Sequence, residues 1–91
     1  MHPGEILEET LDDLGIGMNR LAQALHVPAN RTSAIVAGRR AITGETALRL
    51  ARYFHTTPDY WIGMQAQYDL ETARDRFERK IRAEVSPMQA A

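Results

Sequence analysis

An all-α domain of five to six helices is what the sequence predicts, and three observations carry that expectation. Apolar residues recur three and four positions apart in each long segment, the period of a helix with one buried face. Helix stop and start signals (Gly15, His26-Val27-Pro28, Gly38, Thr43, Thr57-Pro58) punctuate the chain at short intervals. No stretch shows the in-out alternation of a strand.

The first helix begins at Pro3, whose fixed φ suits a first turn, with Glu5 close to the positive end of the helix dipole. Leu7, Leu11 and Leu14 form its inward stripe, while Glu8, Glu9, Asp12 and Asp13 face outward. Gly15 ends it and Ile16 folds back as an apolar contact. Gly17 takes the next cap position, and a second helix buries Leu21, Ala22 and Leu25. Pro28 then fits the first turn of a third helix over residues 29–37. That helix buries Thr32, Ile35 and Val36 and leaves Asn30, Arg31, Ser33 and Ala34 largely outside. Gly38 supplies the left-handed terminator, followed at once by Arg39 and Arg40.

Thr43 caps a fourth helix with Ala47, Leu50, Ala51 and Phe54 inward. His55-Thr56-Thr57-Pro58 repeats the stop-start logic, with His55 as a helix C-terminal cap. The next helix holds Trp61, Ile62, Met64, Gln65 and Tyr68, and Asp69 either continues it or caps another. Leu70, Ala73, Phe77, Ile81 and Val85 make a last stripe among mixed charges, which needs a partner surface from this domain or from another chain. Ser86-Pro87 stops it, and a frayed tail is expected over residues 86–91.

Two short helices around a tight turn, closed by a glycine, form the helix-turn-helix pattern, in which the second helix enters the DNA major groove. Charge agrees once it is divided along the chain. The net charge of −1 conceals −5 over residues 1–16, +5 over 17–56 and −1 over 57–91, so the positive charge lies on the motif and the segment after it. Groove reading needs short polar or forked side chains, so Asn30 is a candidate for adenine and Arg31 for guanine or a phosphate. Ser33 suits either, and Ala29 and Ala34 suit a thymine methyl. Arg20, Arg39 and Arg40 flank the helix as phosphate contacts, each with a surface ion pair to Glu45 or an N-terminal acid as the alternative. Arg49 and Arg52 are weaker candidates for the same role.

Other chemistry finds little support. There is no cysteine for a disulfide, a nucleophile or a thiolate metal site. His2, His26 and His55 are far apart, with no pair at i, i+4, and no Gly-rich phosphate loop occurs, so neither an enzyme nor a metal or cofactor site is expected. No apolar run nears the ~18 residues of a membrane span and the acidic N-terminus is wrong for a signal peptide, so a cytoplasmic protein is expected. Ninety-one residues suit one domain near the small end for a self-sufficient core, which pairing of two copies would help.

The chain resembles the HigA/VapI-type antitoxins of the Xre/Cro-repressor helix-turn-helix superfamily. The resemblance covers nearly the whole length. It rests on His2-Pro3-Gly4-Glu5-Ile6-Leu7, Arg20-Leu21-Ala22 through Ile35, and Gly38-Arg39-Arg40-Ala41-Ile42-Thr43. It continues through Ala47-Leu48-Arg49-Leu50-Ala51, Pro58-Asp59-Tyr60-Trp61 and Gln65-Ala66-Gln67-Tyr68-Asp69-Leu70. The chain departs at Gly17 (commonly Ser or Thr), His26 (commonly a glycine at the turn), Thr32 (commonly aliphatic) and Gly63-Met64.

The resemblance implies a lambda-repressor-like fold and a homodimer on a palindromic operator in its own promoter. It also implies neutralisation of a co-encoded HigB-type toxin that cuts mRNA. Residues 1–69 then form the DNA-binding domain, and residues 70–85 a C-terminal dimerisation helix. Trp61 belongs to the core, and Tyr68, Leu70, Ala73, Phe77 and Ile81 to a dimer seam. An RNA-cutting toxin must be cationic, which makes Glu8, Glu9, Asp12 and Asp13 its candidate docking face. Two other readings stand beside this one. A solitary regulator would have the same residues and no toxin. A protein-interaction adaptor without DNA is the other, and the positive segment speaks against it.

Overall fold

The computed structural model describes residues 1–89 and contains five helices: α1 (Pro3–Leu14), α2 (Met18–Leu25), α3 (Ala29–Val36), α4 (Gly44–Phe54) and α5 (Pro58–Glu84). No strand occurs among the described residues. The choice left open at Asp69 falls to continuation, since α5 runs without a break through the boundary expected at residue 69. Of the tail expected over residues 86–91, residues 90 and 91 lie outside the described residues.

Each helix is bounded by local chemistry. His2 caps α1: its Nδ1 accepts the Gly4 N–H at 2.9 Å, and Pro3 follows in the first turn. Gly15 closes the helix at φ 67°, and the Ile16 N–H returns to the Leu11 carbonyl at 2.9 Å, which lays Ile16 against the core. His26 ends α2 and His55 ends α4, both at φ 58°, where left-handed backbone usually falls to glycine. Pro28 sits one residue earlier than expected, as the N-cap of α3, with its carbonyl accepting the Arg31 N–H at 3.0 Å. Thr43 and Thr57 cap α4 and α5 through their hydroxyls, which accept from Thr46 and Tyr60.

Leu7, Leu11, Leu21, Leu25, Ile35, Ile42, Ala47, Leu50, Ala51 and Trp61 form one core. The indole N–H of Trp61 donates to Thr56 Oγ1 at 2.9 Å, so its one polar atom is satisfied. Thr32, which stands where an aliphatic is usual, is also buried. Its hydroxyl lies 3.0 Å from the Ala29 carbonyl and 3.2 Å from the Met18 carbonyl, binding α3 to the start of α2. Gly4 has no room for a Cβ, because one would collide with the Ile35 carbonyl. The N-terminus of α1 is therefore seated directly on the end of α3.

Three packing expectations are corrected, and the first is Phe54, which is half-buried against the rim of the core and not inside it. Leu14 is 56% exposed: it keeps the face of Leu7 and Leu11, but at that end of α1 it lines an open groove with Thr10, Phe54 and Tyr60. Val36, the last residue of α3, is half-buried at the rim of the core instead of inside it.

Candidate nucleic-acid interface

Thr32 and Ile35 pin one side of α3 and so decide what its other side presents. Ala29 and Asn30 are exposed, and Arg31, Ser33 and Ala34 are half-exposed. The Ser33 hydroxyl donates to the Asn30 carbonyl at 3.2 Å, leaving its oxygen free to accept. Arg31 does not stand free. Its Nη1 lies 3.3 Å from Glu45 Oε1, and its side chain is 21% exposed, laid along α4. Glu45 Oε2 is 3.4 Å from Arg49 Nη2, and Arg49 Nη1 donates to the Leu25 carbonyl at 2.8 Å. Glu45 is thus taken by Arg31 and Arg49, not by Arg20, Arg39 or Arg40. Arg49, spent on the end of α2, is a poor candidate for phosphate.

Arg20, Arg39 and Arg40 are exposed, and among the described residues none has a carboxylate within salt-bridge distance. Arg39 is nonetheless fixed at its backbone, where its N–H reaches the Ala34 carbonyl at 2.9 Å. The rest of the connector is pinned by a side chain that charge reasoning overlooked. Gln65 on α5 is buried, and its Oε1 accepts the Ile42 N–H at 2.8 Å while its Nε2 donates to Asp69 Oδ1 at 2.9 Å. A polar residue one turn after Trp61, on the buried face of α5, was the available signal.

Glu8, Glu9, Asp12 and Asp13 are all exposed on α1, with no cation in salt-bridge range among the described residues. Along α5, Leu70, Phe77 and Ile81 are about half-exposed, Ala73 is partly covered, and Arg76 lies over the Phe77 ring at 5.3 Å. Tyr68 already packs within the chain, its ring meeting His2 edge-on at 4.8 Å. The three histidines serve the backbone or its ends: His2 caps α1, and His26 and His55 terminate α2 and α4. Among the described residues no cluster of three or more His, Cys, Asp or Glu side chains suits a metal ion. None of the described helices is long and apolar enough to cross a membrane.

The helix-turn-helix family pattern matches residues 7–61, from the first core leucine to Trp61. The chain is 50% identical over 74 residues to virulence-associated protein I of Dichelobacter nodosus, covering 80% of this chain and 68% of that protein. An addiction module antidote protein of a HigA family from Coxiella burnetii has the same fold, with 47% identity, a TM-score of 0.94 and 97% of both chains covered. The Pseudomonas aeruginosa antitoxin HigA, solved with the higBA promoter, matches at 39% identity and a TM-score of 0.94 over 98% of both chains. Sequence and five-helix frame agree over almost the full length: this chain belongs to the helix-turn-helix family, in its HigA-type antitoxin branch.

Proposed function

We propose that this chain is a sequence-specific DNA-binding repressor and the antitoxin of a toxin–antitoxin pair, acting in the cytoplasm as a homodimer on a palindromic operator. The observation that carries the reading is the face of α3. It offers Ala29, Asn30, Arg31, Ser33 and Ala34 between three arginines that have no acidic partner among the described residues. In this reading Asn30, Arg31 and Ser33 bond base edges, and Ala29 and Ala34 meet thymine methyls. Arg20, Arg39 and Arg40 hold phosphates and set the register. The P. aeruginosa relative, solved with a promoter, supports the DNA-binding reading as such.

Two copies are needed, because a palindrome presents its half-sites about 34 Å apart, one helical turn. The half-exposed stripe of Leu70, Ala73, Phe77 and Ile81, reached from Tyr68, supplies the joint. The acidic face of Glu8, Glu9, Asp12 and Asp13 is where a cationic RNA-cutting toxin would dock, with inhibition exerted by folded surface. The role is binding, not catalysis.

The test is a salt-dependent mobility shift with the DNA upstream of the chain's own gene. Retardation should weaken steeply as salt rises, and Arg39→Ala should lower the salt slope by about one unit. Equal slopes would remove Arg39 from the clamp, and no retardation even at low salt would overturn the repressor reading.

A further inference from the structure

Glu45 is the one acid in the basic segment of residues 17–56. It stands in the first turn of α4, where a negative charge suits the helix dipole, and its side chain is 62% exposed. The contacts around it form a graded chain. The short bond, 2.8 Å, is the far one, from Arg49 to the Leu25 carbonyl at the end of α2. The nearer contacts, Arg49 to Glu45 and Glu45 to Arg31, are 3.4 and 3.3 Å. The Nε atoms of both arginines are buried and have no hydrogen-bond partner among the described residues, so each guanidinium is held there through its terminal nitrogens. The direction of Arg31 is therefore set by Glu45, and that of Glu45 by the anchored Arg49.

We infer that Glu45 is a positioning residue for sequence discrimination: it aims the Arg31 guanidinium at a base and its charge weakens attraction to DNA of any other sequence. The inference rests on the repressor reading above. An arginine released from Glu45 settles on the nearest phosphate, a contact that carries no sequence information. A carboxylate 3.3 Å from a base-reading arginine repels every phosphate backbone alike, whereas only a matched site returns the base contact of Arg31. Both effects widen the gap between operator and unrelated DNA. Glu45 itself is 62% exposed and the 2.8 Å bond from Arg49 to the Leu25 carbonyl does not involve it, so removing its charge has little effect on the fold.

The experiment compares the full chain with Glu45→Gln, each alone and with Arg31→Ala, by selection from a randomised duplex and by titration of unrelated duplex across salt. Glu45→Gln should cut the preference at one base position of each half-site by about fivefold or more, within the worth of a good arginine–guanine pair. It should also bind unrelated DNA more tightly, with a salt slope steeper by about one unit, at an unchanged melting temperature. In the Arg31→Ala background the same change should leave the preference profile alone. The inference is overturned by a Glu45→Gln profile identical to the parent's, by equal flattening without Arg31, or by a uniform affinity loss with lowered melting. A parent chain that selects no sequence would remove the repressor reading and this inference together; a selective parent with an unaltered Glu45→Gln profile would remove the inference alone.

Discussion

The two halves of α5 are one helix with different surroundings. Over residues 58–69, Trp61 is 1% exposed and Gln65 is 6% exposed, so this half closes the core and pins the Ile42 connector. Over residues 70–84 no residue is buried. That half carries exposed i, i+4 pairs, Arg74–Glu78, Lys80–Glu84 and Glu78–Arg82, each worth only about 0.3–0.5 kcal/mol. The molecule is 54 Å long and 25 by 22 Å across, so the outer half extends well past the body. Leu70, Phe77 and Ile81 recur on one side of this half and are each about half-exposed. The contrast separates what folds the monomer from the stripe proposed above as the joint between two copies.

The contrast can be broken or sharpened by four substitutions. Trp61→Ala, in the inner half, should cost about 3–5 kcal/mol by emptying a fully buried site, read as a collapse of the thermal transition. Gln65→Ala should cost about 1–3 kcal/mol, because the Ile42 N–H then stays buried without an acceptor. Faster hydrogen exchange at Ile42 is its specific signature. Phe77→Ala, in the outer half, should leave the monomer's helix content intact and weaken association by about 1.5 kcal/mol per copy, the low end for a ring already half-covered. Sedimentation at micromolar concentration would show the dimer giving way to monomer, and an unchanged association constant would place the seam elsewhere. Gly63→Ala should stabilise by about 0.5–1 kcal/mol, since a Cβ there meets nothing within 4 Å and the position is inside a helix.

Local chemistry was legible in the sequence, and tertiary pairing was not. Gly15, His26, Gly38, Thr43 and Thr57 each act on their immediate neighbours, so helix ends could be placed within about a residue or two. Periodicity put Leu21, Leu25, Leu50 and Trp61 inside, where they are. It misplaced Leu14, because a stripe shows which side of a helix faces inward and not how far the neighbouring layer reaches. Arg31 was expected largely outside on spacing; its partner Glu45 is fourteen residues away and on another helix, beyond the reach of any local pattern. Gln65 and Gly4 stood in recognised motifs without a physical role. The roles appear only once Ile42 is brought to α5 and Ile35 to α1.

The unbroken course of α5 has a geometric consequence for a pair of these molecules. Under the proposed seam, which lies on the outer half of a stiff rod whose base is bolted to the body, the two reading heads would be carried like the jaws of a locked caliper. Such an instrument measures a gap as well as holding on. The distance between half-sites would then become part of what is recognised, with no base contact needed in the stretch between them.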